Sequence, residues 1–188
     1  GRGLLAARAF GAQGTDMGTR FLTTSDSGVP EVTLKRYVAT RDAEKIQVSY
    51  LVDGMPQRMI PNEYLAMLEK ASPFKRLRIA VRLALQWKAQ TGMTMQHALG
   101  VLWAGLREDP GSAEQTVMAA NAPMLLQRSM VDGKPAEGVM SAGQVAALIG
   151  RLDSCEEVIT GIVAQACERR AALGAINSTN AMAGALAA

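Results

Sequence analysis

An α/β chain in which helix outweighs strand is the predicted fold class, and three observations point to it. The N-terminal residues read as helix, tight turn and short strand, which is half of a βαβ repeat. Two short runs across residues 46–60 read as a hairpin, and from Asn62 onward the apolar spacing turns helical. The composition agrees, since 11 Met, 4% aromatic residues and recurrent Ala suit helices packed through small, flexible side chains.

The elements follow in order. Residues 2 to 10, RGLLAARAF, space Leu4, Ala7 and Phe10 along one stripe and stop at Gly11. After Gly11-Ala12-Gln13-Gly14 comes Thr15 to Leu22, too short for a typical helix and bounded by Gly and by polar residues, so a strand is predicted over 15–22. Pro30 and Glu31 open a helix over 29–39, as helix N-termini prefer. Ile46 to Leu51 alternates, and Asp53-Gly54 before Gln57 to Ile60 predicts a hairpin whose turn is longer than two residues. Helices are then expected over 62–71, 74–90, 94–106, 113–131, 142–149 and 154–172, with Gly or Pro in most gaps. The Ala/Gly/Asn/Ser-rich stretch 174–188 lacks a period and is expected to be a disordered tail.

Composition bounds the function classes. With 48% hydrophobic and 20% charged residues, the chain can bury a core of its own. A net charge of +3, from 20 basic against 17 acidic residues, is too mild for a nucleic-acid footprint without a focused patch. No window reaches the roughly 18 consecutive apolar residues of a membrane span, and no signal layout opens the chain. Cys155 and Cys167 lie in one predicted helix, about 18 Å apart along its axis, so they cannot bridge each other and read as reduced thiols of a cytoplasmic protein. The expected partners are a small-molecule substrate, with no nucleic acid and no membrane, and homo-oligomerisation is left open. No metal-ligand spacing is apparent.

The chemistry-bearing stretch is MGTRF, residues 17 to 21. Gly18 would let the backbone approach phosphate oxygens, with the Gly18 and Thr19 amides and the Thr19 hydroxyl as donors. From the residues alone, a glycine tolerated at a tight strand exit with Thr19 in an ordinary turn is the simpler account of the pattern. The run GRGLLAARAFGAQGTDMGTRFLTTSDS, however, resembles the helix-seven to strand-eight segment of the nitronate monooxygenase family, also called the 2-nitropropane dioxygenase family. VDGMPQRMIPNE, MAANAPML and AGQVAALIG followed by a Ser-Cys-Glu-Glu helix are also similar to that family's C-terminal region, in family order, so the resemblance covers residues 1 to 172. One departure is Asp16, where the family often carries Gln.

The resemblance implies an α/β architecture that is a C-terminal fragment of a (β/α)8 barrel, namely its last helix and strand, with a mainly helical substrate-side subdomain. A complete barrel needs about 250 residues, and this chain has 188. The implied organisation is 1–45 as the last helix-strand-helix of the barrel, 46–137 as the helical subdomain with its hairpin, 138–173 as helices returning to the barrel, and 174–188 as the tail. The implied cofactor is FMN, bound by Met17, Gly18, Thr19 and Gln144. The implied activity is oxidation of an alkyl nitronate with dioxygen. By the same resemblance no catalytic residue lies in this chain: the general base and the other half of the phosphate site belong to earlier strands.

Other features carry two readings. Gln144 opens the helix of AGQVAALIG and could reach flavin or substrate, or only cap that first turn. The 74–90 helix places Phe74, Leu77, Val81 and Leu85 on one face and Lys75, Arg78 and Arg82 on another, which reads as a solvated basic face over a packed stripe before a membrane-surface or nucleic-acid helix, or a surface for a phosphorylated substrate arm. Asn121 and Pro123 should kink their helix, opening room for a ligand or serving packing alone. His97 is the sole histidine and reads as a helix residue without catalytic duty. Rival functions are a flavin-dependent reductase or dehydrogenase of CoA or acyl-carrier thioesters, and a non-catalytic helical interaction module.

Overall fold

The computed structural model describes residues 1–91, 100, 103 and 122–186. It divides into two compact units: Gly1–Ser27 with Leu152–Ala188, called here the terminal unit, and Gly28–Arg151, the middle unit. The expected divisions at 45/46 and 137/138 are not where these units part. The segments 28–45 and 138–151 belong with the middle of the chain.

In the terminal unit, α1 (Arg2–Ala9) packs on α7 (Cys155–Leu186). The approach is close: a Cβ on Gly1 would lie 2.3 Å from the Gln165 Cβ. Gly11 ends α1 as expected, with φ +90°, a region that L side chains rarely adopt. The Arg8 guanidinium donates to the Ala12 and Gln13 carbonyls and closes that turn. At the other end, Ser154 and Glu157 exchange hydrogen bonds with each other's backbone N–H, a reciprocal cap that starts α7. Helix α7 continues through Leu186, where a disordered tail was expected from residue 174. Cys155 and Cys167 are both free thiols on this helix.

The predicted strand over 15–22 is corrected. Residues 14–17 have no strand partner among the described residues, and Gly18–Leu22 forms a short helix, α2. An extended segment needs a ladder to satisfy its backbone, and helix satisfies those groups locally. Thr23 and Thr24, both buried, strengthen that choice by donating their hydroxyls to the Thr19 and Phe21 carbonyls. Only Thr24 makes a described strand-like contact here, an isolated parallel bridge to Asp153.

The middle unit is built around Val52, Met59, Tyr64, Leu65, Leu68, Leu83, Leu125 and Val139. Helix α3 (Glu31–Ala39) is tied to it by Thr33 and Tyr37, whose hydroxyls donate to the Ser129 and Ser141 carbonyls. The predicted hairpin is present: β1 (Gln47–Ser49) pairs antiparallel with β2 (Gln57–Met59), with Val48 opposite Arg58. Segment 140–142 adds to the β2 edge, since Ile60 N–H donates to Met140 O and Ala142 N–H to Arg58 O. Helices α4 (Glu63–Lys70), α5 (Pro73–Thr91) and α6 (Ala122–Met130) occupy expected helical stretches. Residues 94–99, 101–102 and 104–106 of the 94–106 stretch, His97 among them, and 113–121 with Asn121 lie outside the described residues.

Two further expectations change. The α5 stripe is rotated: Phe74, Val81 and Leu85 are 72%, 48% and 55% exposed, while Ile79 and Leu83 pack on the core. Arg76 explains this orientation, because its guanidinium turns back to the Leu68 and Glu69 carbonyls at the end of α4, adding to the Ala71 N–H that already reaches the Leu68 carbonyl. The helix expected over 142–149 is a shorter 3-10 turn, Gln144–Leu148, entered from an extended Gly143.

Arg36 of α3 forms a two-pronged ion pair with Glu63 at 2.6 and 2.9 Å. The Arg36 guanidinium is the main cause that holds the Glu63 carboxyl well below its ordinary 4.5, at about 2. A depressed carboxyl pKa contributes stability that is present above pH 4.5 and is lost as pH falls toward 2. Both side chains are over a third exposed, so that contribution is only a few tenths of a kcal/mol after screening. The expected result is an NMR titration of Glu63 with its midpoint below 4.5, which Arg36→Leu returns toward 4.5. A wild-type midpoint near 4.5 would show that the pair is not held in solution.

Candidate functional site

The expected site residues fall in both units. Met17, Gly18 and Thr19 belong to the terminal unit and Gln144 to the middle unit, and each is described within its own.

Met17 is extended, with φ −142° and ψ 107°, and α2 begins immediately after it. Gly18 and Thr19 are thus in the first turn of a helix, where backbone N–H groups have no i−4 carbonyl and can address an anion. Gly18 is exposed, and nothing lies within 4 Å of where its Cβ would be. Its φ is not positive. Neither backbone strain nor packing within the described chain therefore calls for glycine at this position, whereas close approach of a ligand would. Thr19 is half-buried, with its carbonyl accepting the Thr23 hydroxyl.

Sequence reasoning missed what holds this turn. Arg20, in the same turn, forms an ion pair with Asp153, and the Ser25 N–H donates to the Asp153 carbonyl. Asp26 accepts from the Cys155 N–H at 2.6 Å, and this hydrogen bond is the main reason its carboxyl sits below the ordinary 3.8. The two acids tie the turn to the start of α7. Their partners lie more than 120 residues apart in sequence, so no local pattern marks them. The Ser154-x-x-Glu157 spacing, by contrast, was a readable helix-start signal.

Gln144 is the first residue of its 3-10 turn and is exposed. The entry to that turn has no side-chain cap. The capping role weighed for Gln144 is thus not observed. Its neighbours Ala146, Ala147 and Ile149 are buried and anchor the turn.

Among the described residues no group of three or more His, Cys, Asp or Glu side chains could hold a metal ion. Among the same residues no helix is long and apolar enough to cross a membrane.

The sequence model of the nitronate monooxygenase family matches residues 1–165. The chain belongs to this family. Two of the family relatives it matches are "(3aS,4S,5R,7aS)-5-hydroxy-7a-methyl-1-oxo-octahydro-1H-indene-4-carboxyl-CoA dehydrogenases". The one from Rhodococcus jostii is 41% identical over 178 residues, covering 95% of this chain and 50% of that protein. The one from Mycobacterium tuberculosis is 39% identical over 176 residues, covering 88% of this chain and 46% of that protein. A probable nitronate monooxygenase of Staphylococcus haemolyticus is 36% identical over 70 residues, 37% of this chain and 19% of that protein. Among solved structures, FabK from Thermotoga maritima superposes with a TM-score of 0.54 at 25% identity, covering 93% of this chain and 43% of that one. The α/β fold is therefore related to that of FabK, and this chain's share of it is helix-rich with little sheet. The chain spans about half the length of the curated relatives it matches.

Proposed function

We propose that this chain is the C-terminal part of an FMN-dependent barrel oxidoreductase whose substrate is a CoA thioester. The observation that carries the substrate class is the breadth of the match. Relatives named as CoA-thioester dehydrogenases align along 178 and 176 residues, while those named as probable nitronate monooxygenases align along only 70 and 65. The activity first expected, oxidation of an alkyl nitronate with dioxygen, remains the second reading, favoured by the family's own description.

The residues present fit a flavin phosphate. A first-turn set of amides, an extended residue before it and open space over the Gly18 Cα make a cradle for phosphate oxygens. Arg20 is engaged with Asp153; the Gly18 and Thr19 amides and the Thr19 hydroxyl are the proposed donors, with Met17 beside them. FMN would supply two-electron redox chemistry, and the protein supplies position and electrostatics. Exposed Gln144 is the proposed side chain of the middle unit to address flavin or substrate. A cytoplasmic enzyme without nucleic-acid or membrane partners completes this reading.

The test is a substrate screen on the full-length protein. Turnover of a CoA thioester with a nicotinamide partner is the expected result. Nitronate-dependent oxygen uptake without thioester turnover would establish the second reading instead. A purified full-length protein without flavin absorbance would sink both and favour a non-catalytic module. The 188-residue chain by itself is expected to bind FMN weakly, because the other strands of a barrel supply most of such a pocket. Stoichiometric FMN retained by this chain through gel filtration would overturn that expectation.

A further inference from the structure

We infer that a cleft of the middle unit holds the phosphate-bearing adenosine end of CoA, an inference that rests on the thioester reading above. The cleft encloses about 480 Å³ between the end of α3, the turn after it and the exit of β2. That is far more than one phosphate needs and lies in the range of small-ligand pockets, roughly 300–1,000 Å³. Its wall includes Arg36, Arg41 and Lys45 as cations, Asp42 as the acid, and Ile60 and Pro61 as an apolar side. A nucleotide carrying phosphates asks for those two things together: an apolar surface for the base and cations for the phosphates.

The three cations differ in how their charge is used. Arg36 is matched by Glu63 in the two-pronged pair. Lys45 lies 3.8 Å from Asp42, whose other oxygen accepts the Glu44 N–H. Arg41 instead donates to a neutral acceptor, the Gly150 carbonyl, at 3.0 Å, and among the described residues it has no carboxylate partner. Its charge is left for an incoming anion. Its position is also built in, because a Cβ on Gly150 would lie 2.6 Å from the Arg41 guanidinium. Glycine at 150 therefore lets the guanidinium lie across the backbone, held by its hydrogen bond to the Gly150 carbonyl. The atom in the way is the far end of a flexible side chain, so Gly150→Ala should displace Arg41 without unfolding the unit.

The experiment compares the full-length holoenzyme with Arg41→Ala and Gly150→Ala. Substrates are the CoA thioester and the matching pantetheine thioester, which carries the same acyl group and lacks the nucleotide. The expected wild-type kcat/KM favours the CoA thioester by well over tenfold, on the order of one charge-assisted contact or more. Arg41→Ala should cut that preference about tenfold and Gly150→Ala several-fold, with the loss residing in KM and shrinking at high salt. If wild type shows the preference and both variants keep it, the cleft is a solvated basic surface and the inference is overturned while the thioester reading stands. If wild type turns over both thioesters equally well, the nucleotide is not held and the inference again fails alone. If no CoA thioester is turned over or bound, the thioester reading fails and the cleft assignment falls with it.

Discussion

Gly18→Val in the full-length protein is expected to abolish flavin retention while leaving the fold intact. The two halves of that expectation come from one observation: nothing lies within 4 Å of a Cβ built on Gly18, and the residue is exposed at the start of α2. The valine Cβ therefore meets no described protein atom within 4 Å, and in a helix valine is no worse than the glycine it replaces. The space it fills is the space in which phosphate oxygens would meet the backbone. Excluding a doubly charged phosphate from its amide donors forfeits several charge-assisted hydrogen bonds at about 1.5–3 kcal/mol each. Thr19→Ala removes one hydroxyl donor, about 1–3 kcal/mol, and should weaken FMN roughly five- to a hundredfold without abolishing it. The measurement is FMN per protomer after gel filtration, with far-UV circular dichroism to follow the fold. Wild-type occupancy in Gly18→Val would remove this turn from the site.

How much of this was legible depended on whether a signal was local. The hairpin could be read because alternation and Asp53-Gly54 act within a dozen residues, and β1 and β2 pair there. Helices α1, α3 and α4 could be read because an apolar stripe and its end signals lie within one element. The 15–22 segment could not, since eight residues hold too little period, and the choice between strand and helix depends on a partner strand that no local pattern reports. Arg20 with Asp153 and Asp26 with Cys155 are likewise invisible to local pattern. In α5 the period was right and the phase wrong, because Arg76 reaching the end of α4 decided which face turned inward. The site residues came from the family resemblance, and spacing around Gly18 alone left an ordinary turn as a sufficient account.

Asn62 carries the largest expected effect on stability. Its side chain caps α4 by accepting the Leu65 N–H at 2.8 Å, while its amide nitrogen donates to the Pro135 and Gly138 carbonyls at 2.7 and 2.8 Å. One buried side chain thus serves a helix start and a loop 73 residues further on. That loop has little freedom, because a Cβ on Gly138 would lie 2.3 Å from the Leu125 carbonyl of α6. Beyond it, Met140 and Ala142 complete the β2 edge. Asn62→Ala loses the cap, worth about 1 kcal/mol, and strips a donor from two buried carbonyls at about 1 kcal/mol or more each. The expected total is about 3 kcal/mol, a fall in Tm of roughly 6–12 °C for a chain of this size. Asn62→Asp separates the two duties, since aspartate caps helices as well as asparagine does but sets a carboxylate oxygen against the two carbonyls. It should therefore destabilise at least as much as Asn62→Ala, and Asn62→Ser, which keeps only the cap, should fall between Ala and wild type. Denaturant midpoints of the three variants read this order directly. A near-native Asn62→Asp would mean that the cap alone matters and that the bonds to Pro135 and Gly138 contribute nothing to holding the middle unit.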